Sequence, residues 1–89
     1  MRQSIGFMIY DTEKSTLLAS GSRSGIIGSY DELYRAHSGR YFLSSSESGY
    51  ELMTLSTLTL SQAIDRFNRL PHREVDFEEA FPDVAFEEA

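Results

Sequence analysis

Short apolar runs alternate with polar turn residues over the first two thirds of the chain. Runs of this length, rich in β-branched and aromatic residues, are typical of strands rather than of helices. A turn at Asp11-Thr12-Glu13-Lys14 follows the first run, so we expect the first two strands to form a hairpin. The strands that the runs predict are residues 4–10, 15–20, 40–44 and 50–55.

Residues 30–36 fit two structures, because Tyr-Asp-Glu-Leu-Tyr-Arg can open a short helix or continue as a strand. The following turn contains Gly39 and leads directly into the β-prone run Tyr41-Phe42-Leu43. This arrangement favours a second hairpin, with residues 32–36 as its first strand. The sequence alone leaves the helical alternative open.

One helix is indicated clearly, starting after Thr59. Thr59 and Gln62 have the spacing of a capping box, in which each side chain satisfies a free backbone N–H of the other residue. Apolar residues then recur at helical spacing through Phe67, with charged residues on the opposite face. Pro71 ends the helix, because a proline removes a donor and pushes the preceding residue out of the α region.

These elements predict an α+β fold: an antiparallel meander of about five strands, with the main helix (about 60–70) packed on one face. The 89 residues allow one hydrophobic core. We expect a single domain over residues 1–73 and an acidic C-terminal tail over residues 74–89, called here the acidic tail.

The net charge of −6 is concentrated in the acidic tail. Residues 1–73 hold all eight basic groups and seven acids, whereas the acidic tail holds seven acids and no base. A segment of this sign repels nucleic acid and is attracted to basic surfaces, including those that hold nucleic acid.

The acidic tail also carries apolar residues, since Val75-Asp76-Phe77-Glu78-Glu79-Ala80 returns as Val84-Ala85-Phe86-Glu87-Glu88-Ala89. A disordered acidic segment does not usually contain several Phe and Val residues. Two interpretations remain open: the apolar residues dock on the domain's own core, or the phenylalanines act as anchors for a partner within an acidic rim.

The residues give no support to catalysis or metal binding. The chain has no cysteine, and its two histidines, His37 and His72, lie in no recognised nucleophile motif. No His/Cys spacing fits zinc, and no acidic run fits a calcium loop. We therefore expect a protein that is not an enzyme, with no catalytic residues, no metal and no cofactor. No apolar run is long enough for a membrane span and the start lacks a secretory h-region, so we also expect a cytoplasmic protein.

Four short strings resemble a group of small proteins from phages and mobile elements. They are Tyr10-Asp11-Thr12-Glu13, Glu32-Leu33-Tyr34-Arg35, Gly39-Arg40-Tyr41-Phe42-Leu43 and Leu60-Ser61-Gln62-Ala63. The resemblance covers residues 10–70 and implies a compact sheet-plus-helix domain. Small acidic phage proteins of this size include anti-CRISPR inhibitors, which bind Cas subunits and block access of guide or target nucleic acid.

Charge and resemblance together lead to one functional hypothesis: a small inhibitor of anti-CRISPR type that acts in the host cytoplasm. Its partner would be a basic nucleic-acid-binding Cas protein, with no direct contact to nucleic acid or membrane. The alternative is a small adaptor or assembly module, monomeric or homodimeric through an exposed sheet edge. The residues expected to bind the partner are Asp31, Glu32, Tyr34, Asp76, Phe77, Glu78, Glu79, Phe81, Asp83, Phe86, Glu87 and Glu88.

Overall fold

The computed structural model describes residues 2–22, 29–46 and 53–84. It contains a two-stranded and a five-stranded antiparallel sheet and one main helix, which confirms the α+β class. The strands are β1 (Arg2–Ile5), β2 (Met8–Asp11), β3 (Thr16–Gly21), β4 (Tyr30–Arg35), β5 (Tyr41–Ser46), β6 (Met53–Leu58) and β7 (His72–Arg73); the helices are α1 (Leu60–Arg69) and α2 (Phe77–Ala80).

The large sheet has the strand order β6-β5-β4-β3-β7. Strands β3 to β6 follow one another as an antiparallel meander. Strand β4, at Tyr30–Arg35, confirms that residues 30–36 contain a strand rather than a helix. The last predicted strand, residues 50–55, is found as β6 at Met53–Leu58, and residues 50–52 lie outside the described part of the chain.

The predicted first hairpin is wrong. The run at residues 4–10 is two strands, β1 and β2, which pair with each other in their own small sheet. Gly6 has a φ of 62°, and a glycine at positive φ is what a tight two-residue hairpin turn needs at its first position. Residues Thr12–Lys14 form a 3₁₀ turn that leads from β2 into the large sheet, where β3 pairs with β4 and β7.

The core lies on both faces of the large sheet. On one face, helix α1 buries Ala63 and Phe67 against Leu18, Leu33 and other strand residues. On the other face, Tyr10 of the β1–β2 hairpin packs on Tyr34, Phe42 and Leu55 of the large sheet, and the four side chains form a smaller cluster. The domain therefore has three layers: helix, sheet and hairpin.

Helix α1 begins and ends at the residues that the sequence predicts. The Gln62 backbone N–H donates to Thr59 Oγ1 at 3.2 Å, and the Thr59 backbone N–H donates to Gln62 Oε1 at 2.9 Å, which is a complete capping box. Leu70 is the C-terminal cap, in extended conformation as expected before Pro71.

Candidate binding surface

Residues 74–84, the described part of the acidic tail, run along the helix-bearing face of the large sheet. We call them the docked segment. The segment is held through backbone groups: the Glu74 N–H donates to Leu18 O at 2.9 Å, and the Tyr41 hydroxyl donates to Ala80 O at 3.0 Å. Arg35 Nη1 donates to Glu79 O at 3.1 Å, at the C-terminal end of α2. These bonds join the segment to β3, β4 and β5, so three neighbouring strands fix its course.

Aromatic side chains of the docked segment also pack against the core of the domain. The Phe81 ring lies 5.5 Å from the Phe67 ring and 5.0 Å from the Phe77 ring, centroid to centroid. Tyr41 lies 5.1 Å from Phe81 on the side of the sheet. Phe81 and Ala80 are fully buried, and Phe77, Val75 and Val84 pack around them. Rings at these separations contribute stabilisation beyond the area that they bury.

The docked segment has its apolar side chains on the inside and its acidic side chains on the outside. One turn of helix, α2, achieves this separation, because residues three and four positions apart share a face. Every acidic side chain of the segment is exposed: Glu74, Asp76, Glu78, Glu79 and Asp83. We call these five exposed side chains the acidic surface, and the sequence supplies no base between residues 74 and 84.

Residues 74–84 of the acidic tail therefore dock on the domain's own core, which is the first of the two interpretations. Phe81, expected as a partner anchor, is buried at 0% exposure and is unavailable to a partner in this fold. Phe77 is half-buried against Phe67 and Phe81. The remaining predicted contacts Phe86, Glu87 and Glu88 lie outside the described residues.

The three predicted contacts on β4 do not join the acidic surface. Asp31 is fully buried on the helix-bearing face, where Arg66 Nη1 lies 3.6 Å from Asp31 Oδ2. Glu32 and Tyr34 point to the opposite face, towards the hairpin, because alternate residues of a strand face opposite sides. Tyr34 is buried there and stacks on Phe42 with ring centroids 5.2 Å apart.

Two tyrosine hydroxyls are held in the protonated form. Burial, together with the charge and the hydrogen bond of Glu32, raises the pKa of Tyr34 to about 12. Burial also raises the pKa of Tyr41, and the negative charge of Asp83 adds to the increase, whereas Arg35 opposes it. The raised pKa values extend the pH range over which these phenols stay protonated, and the Tyr41 hydroxyl uses its proton to donate to Ala80 O.

A groove of about 720 Å³ lies between the hairpin tip, the start of α1 and the end of the docked segment. Its lining combines apolar residues such as Ile5 and Leu60 with two charged ones, Arg40 and Asp83. His37 and His72 do not line it. Within the described ranges no group of three or more His, Cys, Asp or Glu side chains is arranged to hold a metal ion. The groove is thus an open cleft with apolar residues and one side chain of each charge in its lining.

Comparisons of the chain with protein-family models, with curated proteins and with solved structures give no match. In the described part of the chain, no helix is both long enough and apolar enough to cross a membrane. The similarity to phage and mobile-element proteins therefore stays a hypothesis carried by the short strings alone.

Proposed function

We propose that the protein is a small non-enzymatic inhibitor of anti-CRISPR type, whose acidic surface binds the basic nucleic-acid-binding surface of a Cas subunit in the host cytoplasm. The observation that supports this most directly is the outward position of all five acids of the docked segment. These carboxylates would pair with Arg and Lys side chains that otherwise hold phosphate. Inhibition would then be competition for one basic surface.

The docked segment suits this role because its backbone is already ordered. Hydrogen bonds to three strands and the buried Phe81 hold the backbone that carries these carboxylates before a partner arrives. A preorganised surface loses less conformational entropy on binding than a flexible tail does. The charge also attracts a basic partner over distances of about one Debye length, roughly 8 Å at physiological salt.

The contact chemistry differs from the expectation that phenylalanines form the anchors. Phe81 is inside the core and Phe77 is half-buried, so the surface offers mainly carboxylates. Binding dominated by exposed charge pairs depends strongly on salt, since salt screens such pairs. Steep weakening of partner binding with rising salt is therefore expected.

Guide-loaded Cas effector complexes provide the test, with target-DNA binding measured by electrophoretic mobility shift at increasing inhibitor concentration. The variant D76N/E78Q/E79Q/D83N removes four exposed charges and keeps the size of each side chain. Exposed charge pairs contribute about 0.2 to 1 kcal/mol each, so the inhibitor should weaken by roughly fourfold to several hundredfold.

A matched pair of single variants controls for nonspecific charge effects. Glu78→Gln changes the acidic surface, and Glu13→Gln removes the same charge from the exposed 3₁₀ turn after β2. We expect E78Q to weaken inhibition and E13Q to leave it unchanged. Full inhibition by the fourfold variant, or unchanged DNA binding by every complex tested with the native protein, would contradict the proposal.

The adaptor or assembly module is a second candidate, and one observation favours it. Strand β6 ends the large sheet with an uncharged outer edge. An adaptor of this kind would show a stable dimer in solution and partner binding that is insensitive to salt. The salt series above separates the two functions, because only binding through exposed carboxylates weakens steeply as salt rises.

A further inference from the structure

Strand β6 lies at one end of the large sheet. In the described ranges, 2–22, 29–46 and 53–84, its only strand partner is β5. The pairing of β5 with β6 is continuous from Tyr41↔Leu58 to Ser46↔Met53, with no bulge. The outer edge of β6 is therefore a straight row of six residues.

Within the described strands, this edge has none of the charges, prolines or bulges that usually prevent edge-to-edge pairing. Strand β6 reads Met-Thr-Leu-Ser-Thr-Leu and its neighbour β5 reads Tyr-Phe-Leu-Ser-Ser-Ser, so neither contains a charged residue or a proline. The other end of the sheet is different, because β7 has two residues, His72 and Arg73, and follows Pro71. Short length, charge and proline all discourage pairing at an edge, and they occur only at the β7 end.

The hairpin geometry shows which backbone groups of β6 point outwards. The Ala36 N–H donates to Arg40 O at 2.7 Å, so residues 36 and 40 form a hydrogen-bonded pair next to the β4–β5 turn. Because this pattern alternates along an antiparallel ladder, residues 41, 43 and 45 direct their backbone groups towards β6. Their partners on β6 are Leu58, Ser56 and Thr54. The residues whose N–H and C=O face outwards are then Met53, Leu55 and Thr57.

We propose that the β6 edge pairs with β6 of a second copy of this chain, in antiparallel register centred on Leu55. A two-fold axis perpendicular to the sheet places Leu55 opposite its own copy, Met53 opposite Thr57, and Thr54 opposite Ser56. All three outward-facing residues of each strand then form hydrogen-bonded pairs, and the two five-stranded sheets become one continuous sheet.

A second copy fits this edge because the strand is self-complementary. Like charges directly opposite each other destabilise a strand pair, and β6 brings no charge to the axis. Leu55 meets Leu55 on the face that the hairpin covers, and Thr meets Ser on the helix-bearing face. The two copies each carry a net charge of −6, so their long-range repulsion falls as salt rises. Dimerisation should thus strengthen with salt, whereas binding through the acidic surface should weaken.

Sedimentation equilibrium of the native chain tests the inference, with masses of 10.1 kDa for the monomer and twice that for the dimer. We expect concentration-dependent dimerisation. Thr57→Pro removes one outward N–H without breaking a bond to β5, and should lower dimerisation at least tenfold; Thr57→Val keeps the N–H and should not. Circular dichroism checks that both variants are folded. A native chain that stays monomeric up to about 1 mM overturns the proposal.

A charge-swap pair tests the register and does not depend on the proline variant. T54E/S56E places Glu opposite Glu twice across the axis and should abolish the dimer. T54K/S56E places Lys opposite Glu in the same positions and should restore it. Both positions are exposed in the monomer. Equal dimerisation by the two variants would refute the register. The inference is independent of the proposed inhibitor function, since these variants leave residues 74–84 unchanged.

Discussion

Replacing Phe81 with Ala tests whether the docked segment contributes to the core. Phe81 is fully buried, with the rings of Tyr41, Phe67 and Phe77 between 5.0 and 5.5 Å away. Removing a buried phenyl ring costs about 3–5 kcal/mol, as lost burial plus the cavity that remains. Folded domains have a free energy of unfolding of about 5–15 kcal/mol, so the F81A variant should lose a large fraction of its stability.

The matched control is Phe7→Ala, because Phe7 lies at the tip of the β1–β2 hairpin and is 106% exposed. A surface change of this kind alters stability by about 0.5 kcal/mol or less. Urea unfolding followed by far-UV circular dichroism gives both values, with the denaturant slope as a check that the two variants unfold as the native chain does. If F81A costs no more than F7A, the docking of residues 74–84 is refuted.

Three further predictions follow from individual residues. Thr59→Ala removes the capping box of α1 and should cost about 1 kcal/mol, measured by thermal unfolding; no change in melting temperature would mean that the cap does not stabilise the helix. Gly21→Ala places a Cβ in steric overlap with the Pro71 ring at a φ of +150°, so urea unfolding should show a loss of about 1–3 kcal/mol, and a neutral result would contradict this contact. The pKa of Tyr34 is raised to about 12 in the folded state, so the unfolded chain ionises this phenol first and the fold loses up to about 3 kcal/mol of stability as the pH rises from 10 to 12. Tyr34→Phe should therefore lose less stability between pH 9 and pH 11 than the native chain does. Equal losses would contradict the raised pKa.

Local signals made parts of the fold predictable. Helix α1 was identified from its capping box and from Pro71, which act over a few residues and do not depend on the rest of the chain. Strands β4 and β5 were identified because the turn with Gly39 lies between two β-prone runs, and Gly39 adopts a φ of 90° there.

The β1–β2 hairpin was missed because Gly6 stands inside an apolar run. The apolar pattern of this run predicts one strand, although an isolated Gly in a strand pattern indicates a bulge or turn. The single strand predicted at residues 4–10 was also expected to pair with β3. In the structure, β1 and β2 pair with each other and β3 pairs with β4, because strand pairing depends on which apolar faces meet in three dimensions.

The spacing of apolar residues in the acidic tail indicates docking, but its acidic composition and charge are also typical of an exposed tail. Phe77, Ala80, Phe81 and Val84 stand at positions i, i+3, i+4 and i+7, which is the spacing of one helix face. The structure buries this face and leaves the acids outside. The burial of Asp31 had no comparable signal, because it depends on Arg66 from a distant part of the chain.

Amide hydrogen exchange measures the docking of residues 74–84 most directly, and the proposed acidic surface depends on it. The N–H groups of Glu74, Ala80 and Phe81 donate to Leu18, Asp76 and Phe77 carbonyls at 2.9, 2.9 and 3.0 Å, comparable to the 3.0 Å bond from Leu70 to Arg66 at the end of α1. We expect these three amides to be protected to a degree similar to Leu70. Exchange at the rate of an unfolded peptide, with Leu70 still protected, would contradict the docked segment.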